Sequence, residues 1–99
     1  MTRFRLSAAA AADLEGIKAF STERWGHARA KRYLSDLRDR LRWLAAAPRR
    51  GRACPDLLDG VHSYPQASHV ICYRIAKKEI EIIRVLHRRM DPLRHLATK

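Results

Sequence analysis

No apolar run in this 99-residue chain approaches the roughly 18 residues needed to cross a bilayer, so no membrane anchor is expected. The opening Met1-Thr2-Arg3-Phe4-Arg5-Leu6 lacks the apolar stretch and cleavage site of a secretory signal. The alanine run at 8–12 is too short to supply one and is closed by Asp13. Cysteine is scarce: Cys54 and Cys72 are the only two, with no CxxC spacing. That argues against a disulfide scaffold and for a reduced, cytoplasmic setting. The five histidines, His27, His62, His69, His87 and His95, show no short paired spacing, so neither a metal site nor a cofactor is expected. No internal repeat or second domain is visible, and residues 1–99 read as one domain. Acidic residues are few. Ten Asp and Glu against 21 Lys and Arg leave a formal charge of +11. A charge that large on a small domain favours an acidic partner, either nucleic acid or protein.

What the chain does contain is periodic. The hydrophobic fraction of 46% suits a globular domain with a modest core. Phe4-Arg5-Leu6 alternates as a short strand would, and Ser7 stands where a helix N-cap belongs. Ala10, Leu14, Ile17 and Phe20 or Ser21 then recur at helical spacing, up to Trp25-Gly26. Gly26 suits a helix terminus because it tolerates positive φ. Ala30, Leu34, Leu37, Leu41 and Leu44 mark one face of a second helix over 27–47, which Pro48 stops. The short hinge predicts an antiparallel helical hairpin. Asp36 and Arg40, four apart, are expected to pair on the wet side of the second helix.

Residues 49–60 read as a loop, and Val61-His62-Ser63-Tyr64 as a strand stopped by Pro65. Residues 69–76 and 80–87 read as two β-branched strands joined at Lys77-Lys78. Asp91-Pro92 predicts the start of a short helix through Leu96. The fold class expected is α+β, in the order β-α-α-β-β-β with a short C-terminal helix. An antiparallel sheet would carry the helical hairpin on one face. With a two-residue turn, Arg74 lies opposite Glu81 on a face shared with Cys72, Ile83, Val85 and His87. Ile71, Tyr73, Ile75, Ile80, Ile82, Arg84 and Leu86 form the other, helix-facing side. A three-residue turn would place Arg74 and Arg84 together.

The ordered set Arg5-Leu6-Ser7, Ala12-Asp13-Leu14, Trp25-Gly26, Tyr33, Pro48, Gly51-Arg52, Gly60, His69, Tyr73-Arg74, Ile82-Ile83-Arg84-Val85-Leu86-His87 and Met90-Asp91 resembles the RelE/ParE toxin superfamily, its ParE branch in particular. The resemblance implies the toxin of a type II toxin–antitoxin pair. Its partners would be DNA gyrase, whose inhibition blocks replication, and a ParD-like antitoxin whose disordered C-terminal segment folds onto the toxin. Direct sequence-specific DNA binding is not expected except through the antitoxin. The expected target-binding residues are Arg74, Arg84, His87, His69 and Met90. The expected antitoxin-binding residues are Leu14, Ile17, Trp25, Tyr33 and Leu37. Many relatives carry arginine two residues after the glycine that opens the strand at 61, where this chain has His62. RelE-like relatives instead cut mRNA in the ribosome, and in that alternative Arg84, His87 and Tyr73 would carry catalysis. The loop at 49–60 lacks the Lys and Glu common in those relatives. The protein-binding, non-enzymatic reading is preferred.

Overall fold

The computed structural model describes residues 3–55 and 60–90. A first strand, β1 (Arg3–Leu6), leads into helices α1 (Ala8–Trp25) and α2 (His27–Ala46). A 3-10 turn (Pro48–Arg50) and a two-residue strand β2 (Arg52–Ala53) follow. Strands β3 (Val61–Gln66), β4 (His69–Ile75) and β5 (Glu79–His87) complete the sheet. The expected short helix from Asp91 lies outside the described residues. No helix among the described residues is long and apolar enough to cross a membrane.

Ser7 caps α1 as its sequence position requires, its Oγ accepting from the Ala10 amide at 3.0 Å. The same hydroxyl donates to the Ile83 carbonyl at 2.7 Å, tying the helix start to β5. Gly26, at φ 91°, both ends α1 and begins α2, so the hairpin turns on one residue that no side chain could easily replace. The expected apolar stripe is real: Ala30, Leu37, Leu41 and Leu44 are buried and Leu34 is partly so.

The sheet runs β1-β5-β4-β3-β2. From β2 to β5 it is antiparallel as expected, and β1 adds in parallel against β5, which makes the whole sheet mixed. Parallel pairing is possible there because the long α1–α2 excursion separates the two strands. The strand at 61 does not stop at Pro65 but continues to Gln66, with Pro65 opposite Val70. Proline is tolerated because β2 covers only Ser63 and His62, leaving an open edge beyond. The loop expected at 49–60 holds the 3-10 turn and β2.

Lys77-Lys78 does form a two-residue turn, and Arg74 lies opposite Glu81. Their ion pair is long, at 3.9 Å, while Arg5 approaches Glu79 at 2.7 Å. Beyond that turn simple alternation fails. Tyr73 faces Ile82 but Cys72 faces Arg84, so Ile83 is an extra residue in β5. The bulge exchanges the faces of everything after it. Val85, expected on the outer face, joins Ile71, Tyr73, Ile80 and Ile82 in the core beneath the helices. Leu86, expected toward the helices, instead clusters with Val61 and Cys72. His87 likewise moves to the face of His69 and Ile71. The expected Asp36–Arg40 pair does not form; Arg42 meets Asp39 at 3.2 Å, and Arg40 turns to Gln66.

Candidate functional site

Three features stand out. The first is a clasp between α1 and the bulged strand. One carboxylate oxygen of Asp13 accepts from Arg84 Nε at 2.7 Å and from the Val85 amide at 2.9 Å, and the other accepts from Arg84 Nη2 at 2.9 Å. The clasp lies just past the bulge, beside the point where Ser7 at the start of α1 bonds the Ile82 and Ile83 carbonyls. Asp13 and Arg84 side chains are 15% and 25% exposed, so the pair is well shielded. The Asp13 hydrogen bond raises the Arg84 pKa above its ordinary value, against a smaller opposing effect of burial.

The second feature is an aromatic and imidazole row at the far end of the β4–β5 ribbon. His69 and His87 are register partners, their rings 5.5 Å apart and nearly perpendicular. Tyr33 of α2 reaches over, its hydroxyl 2.6 Å from His69 Nδ1, and Trp25 meets the Tyr33 ring edge-on at 5.9 Å. Burial, followed by the neighbouring His87, lowers the His69 pKa, with Asp13 opposing; burial raises that of Tyr33 against a backbone hydrogen bond from Ser68. Both groups are therefore neutral at pH 7, and the tautomer of His69 sets which of the two donates across this contact. The Arg89 amide donates to His87 Nδ1 at 3.1 Å, which leaves the His87 proton on Nε2 when the ring is neutral.

The third feature is a groove along the outside of the helical hairpin, with a volume of about 500 Å³. Leu14, Ala30 and Leu34 give it an apolar component, while Lys18, Lys31, Arg38 and Arg42 outnumber one acid, Glu15, in its charged lining. The helical stripe made Leu34 visible in the sequence. The cations are visible only as alternating charge, and nothing local says they converge with α1.

These features sort the expected residues. Leu14 lines the groove, and Trp25 and Tyr33 line a shallower depression of about 280 Å³ with Arg29 and Arg32. Ile17 and Leu37, expected to meet an antitoxin, are core residues, 8% and 1% exposed, out of reach of any partner unless the hairpin opens. They lie where the stripe turns inward. Arg74 and Met90 are exposed, and His69 and His87 are half-buried. Arg84, expected at a target surface, is committed to Asp13. Tyr73 is 0% exposed; its hydroxyl donates to the Pro48 carbonyl and accepts from the Gly51 amide at 3.0 Å. Burial raises its pKa, the Gly51 contact opposing. The three residues expected to carry cleavage, Arg84, His87 and Tyr73, are thus not one constellation. His62 stacks on Tyr73, ring centroids 5.5 Å apart. Asp13 was not anticipated as a site residue; a helix-borne aspartate carries no local sign of what it will cap. Among the described residues no group of three or more His, Cys, Asp or Glu is placed to hold a metal ion.

Comparison with known proteins agrees with this architecture. A structure from a "chromosomal ParDE TA system from P. aeruginosa" superposes with a TM-score of 0.76, at 24% identity, over 88% of this chain and 96% of the other. The RelBE2 toxin–antitoxin complex of Mycobacterium tuberculosis gives 0.67 at 23% identity, over 88% and 91%. At those identities the likeness concerns the fold. In sequence the chain is 41% identical over 96 residues to "Toxin ParE1" of Mycobacterium tuberculosis, covering 96% of this chain and 98% of the relative. It is 38% identical over 97 residues to "Toxin ParE1" of Caulobacter vibrioides, covering 98% and 100%. A family model described as "ParE toxin of type II toxin-antitoxin system, parDE" matches residues 4–92. With the hairpin, the bulged ribbon and these relatives in agreement, the chain belongs to the ParE toxin family of type II toxin–antitoxin systems, within the RelE/ParE superfamily.

Proposed function

We propose that this toxin acts in the cytoplasm by binding DNA gyrase and blocking replication, and that a ParD-like antitoxin neutralises it. The observation that carries the antitoxin part is the hairpin groove. Apolar side chains flanked by Lys18, Lys31, Arg38 and Arg42 match an amphipathic helix with acidic edges. A +11 charge favours an acidic segment further. Leu14 is the anchor at this surface, with Trp25 and Tyr33 at its neighbour.

The target-facing residues proposed are Arg74, His69, His87 and Met90, with Arg84 holding the ribbon in shape through Asp13. Binding rather than turnover is favoured by the state of the candidate catalysts. Tyr73 is sealed among backbone partners, and Arg84 already faces a carboxylate. Purified chain added to gyrase should inhibit supercoiling, and a preformed antitoxin complex should not. Intact supercoiling at saturating toxin would refute gyrase as the target.

A second reading, ribosome-dependent mRNA cleavage, draws on the facing His69 and His87, which resemble an acid–base pair. Primer extension on translated mRNA separates the two. Cleavage lost in His87→Ala, with gyrase untouched, would replace the first reading by the second.

A further inference from the structure

A separate surface lies where the C-terminal half of α2 meets β3. Trp43 is 36% exposed, and two guanidinium groups stand over its ring, Arg40 at 4.5 Å and Arg50 at 4.2 Å. Arg40 also lies over Tyr64 at 5.3 Å, and Trp43 and Tyr64 are 5.2 Å apart. Each arginine is positioned by one bond to the protein. Arg50 Nη1 donates to the Trp43 carbonyl at 2.9 Å, and Arg40 Nε donates to Gln66 Oε1 at 2.7 Å. Among the described residues neither meets a carboxylate, so Arg40 keeps both Nη groups available as a fork. Arg49 and Arg52 stand exposed on either side of Arg50 and Gly51. Beside Trp43 is a depression of about 400 Å³ lined by Asp36, Asp39, Arg40, Trp43 and Gln66.

We propose that this face binds single-stranded nucleic acid, without fixed sequence, through one nucleobase that enters the depression beside Trp43, at the margin of the ring that the two guanidinium groups cover, and phosphates held by Arg40 and Arg50. Interleaved cations and exposed rings are what a single strand requires, since every base has a π face and every linkage a charge. The lining of the depression decides against an acidic peptide. Asp36 and Asp39 would repel a second carboxylate, but Asp36, and the Asp39 oxygen that does not meet Arg42, can accept hydrogen bonds from the exocyclic amino groups of cytosine or adenine. Thymine presents two carbonyl oxygens and one N–H, and is the poorer fit. The base preference therefore follows from the carboxylates, and the affinity from the arginines and the ring. The interaction is independent of the hairpin groove and of gyrase.

Fluorescence anisotropy with labelled dC12, dA12 and dT12 and the full chain tests this. Binding should weaken with salt and favour dC12 and dA12 over dT12 by about threefold or more. Trp43→Leu and Arg50→Ala should each weaken dC12 by about fivefold or more. Asp36→Asn with Asp39→Asn should erase the preference for dC12 over dT12. The control, Lys77→Ala with Lys78→Ala at the opposite end of the β4–β5 ribbon, removes two charges and should change binding less than about twofold. Arg50→Ala alters an exposed residue and remains informative if Trp43→Leu does not fold. The proposal is overturned if no strand binds, if the lysine control weakens binding as much as Arg50→Ala, if thymine is favoured, or if hexaglutamate binds as tightly as dC12.

Discussion

At the residue scale, Asp13 matters more than its place on an alanine-rich helix suggests. It satisfies a backbone amide and a guanidinium at once, and both would lose a charged acceptor in Asp13→Ala. We expect a loss of about 2 kcal/mol, read as a lower urea midpoint at unchanged slope. Arg84→Ala should cost less, because Asp13 keeps the Val85 amide, and its circular dichroism spectrum should stay native. His69 gives a pH signature. Its folded pKa lies below the ordinary value of 6.5, chiefly through burial and then through His87. As pH falls through that value the unfolded chain takes up the proton first, so stability falls with acidification and recovers above it. Urea midpoints at pH 7.5 and 5.5 should differ more in the parent than in His69→Gln. Equal differences would show that His69 is not the sensor. The sequence placed His69 and His87 on strands correctly, but the Tyr33 bond joins residues 36 positions apart and no local pattern announces it.

At the scale of elements, the turn after α2 is fixed by one close approach. Gly51 has an ordinary extended φ of −78°, so its glycine is not a matter of backbone freedom. A Cβ there would run into Tyr73, whose ring lies against it and whose hydroxyl accepts the Gly51 amide. Gly51→Ala should therefore destabilise by about 1–3 kcal/mol through overpacking. Tyr73→Phe should cost a similar amount by another route, leaving the buried Gly51 amide and the Pro48 carbonyl unpaired. The double variant discriminates: relief of the clash without the hydroxyl should make the two losses less than additive. Thermal melts of the three proteins check this. Pro48 as the end of α2 was legible in the sequence. The docking of Tyr73 beneath the following turn was not, since tyrosine on an alternating strand predicts only a face.

At the scale of the whole molecule, charge dominates. The sequence sets twenty-one cations against ten acids, and the hairpin groove gathers four of those cations and one acid, Glu15, beside an apolar floor. Association with an acidic antitoxin segment should therefore weaken as salt rises from 0.05 to 0.5 M, by about tenfold or more, because the Debye length shrinks across that range. Titration calorimetry at three salt concentrations measures it, and a constant affinity would mean that apolar contact alone holds the pair. Leu34→Asp should abolish binding at every salt concentration, since it places a charge among Leu14 and Ala30.

The sequence alone determined what depends on near neighbours. Ser7 as a cap, Gly26 as a hinge and the leucine stripe of α2 all follow from spacings of a few residues, whereas the sequence left two turn lengths open at Lys77-Lys78 and the structure chose the one that sets Arg74 opposite Glu81. The ordered motif set also identified the family. Only the tertiary structure decided the bulge at Ile83, and with it the faces of Val85, Leu86 and His87. One unpaired residue reverses every later side chain, and it sits where Ser7, between β1 and α1, bonds the Ile82 and Ile83 carbonyls. The Asp13–Arg84 clasp, spanning 71 residues, and the cation-lined groove between the helices were decided in the same way. Periodicity tells which side of an element is apolar, but which polar groups meet across the fold depends on where packed elements come to rest.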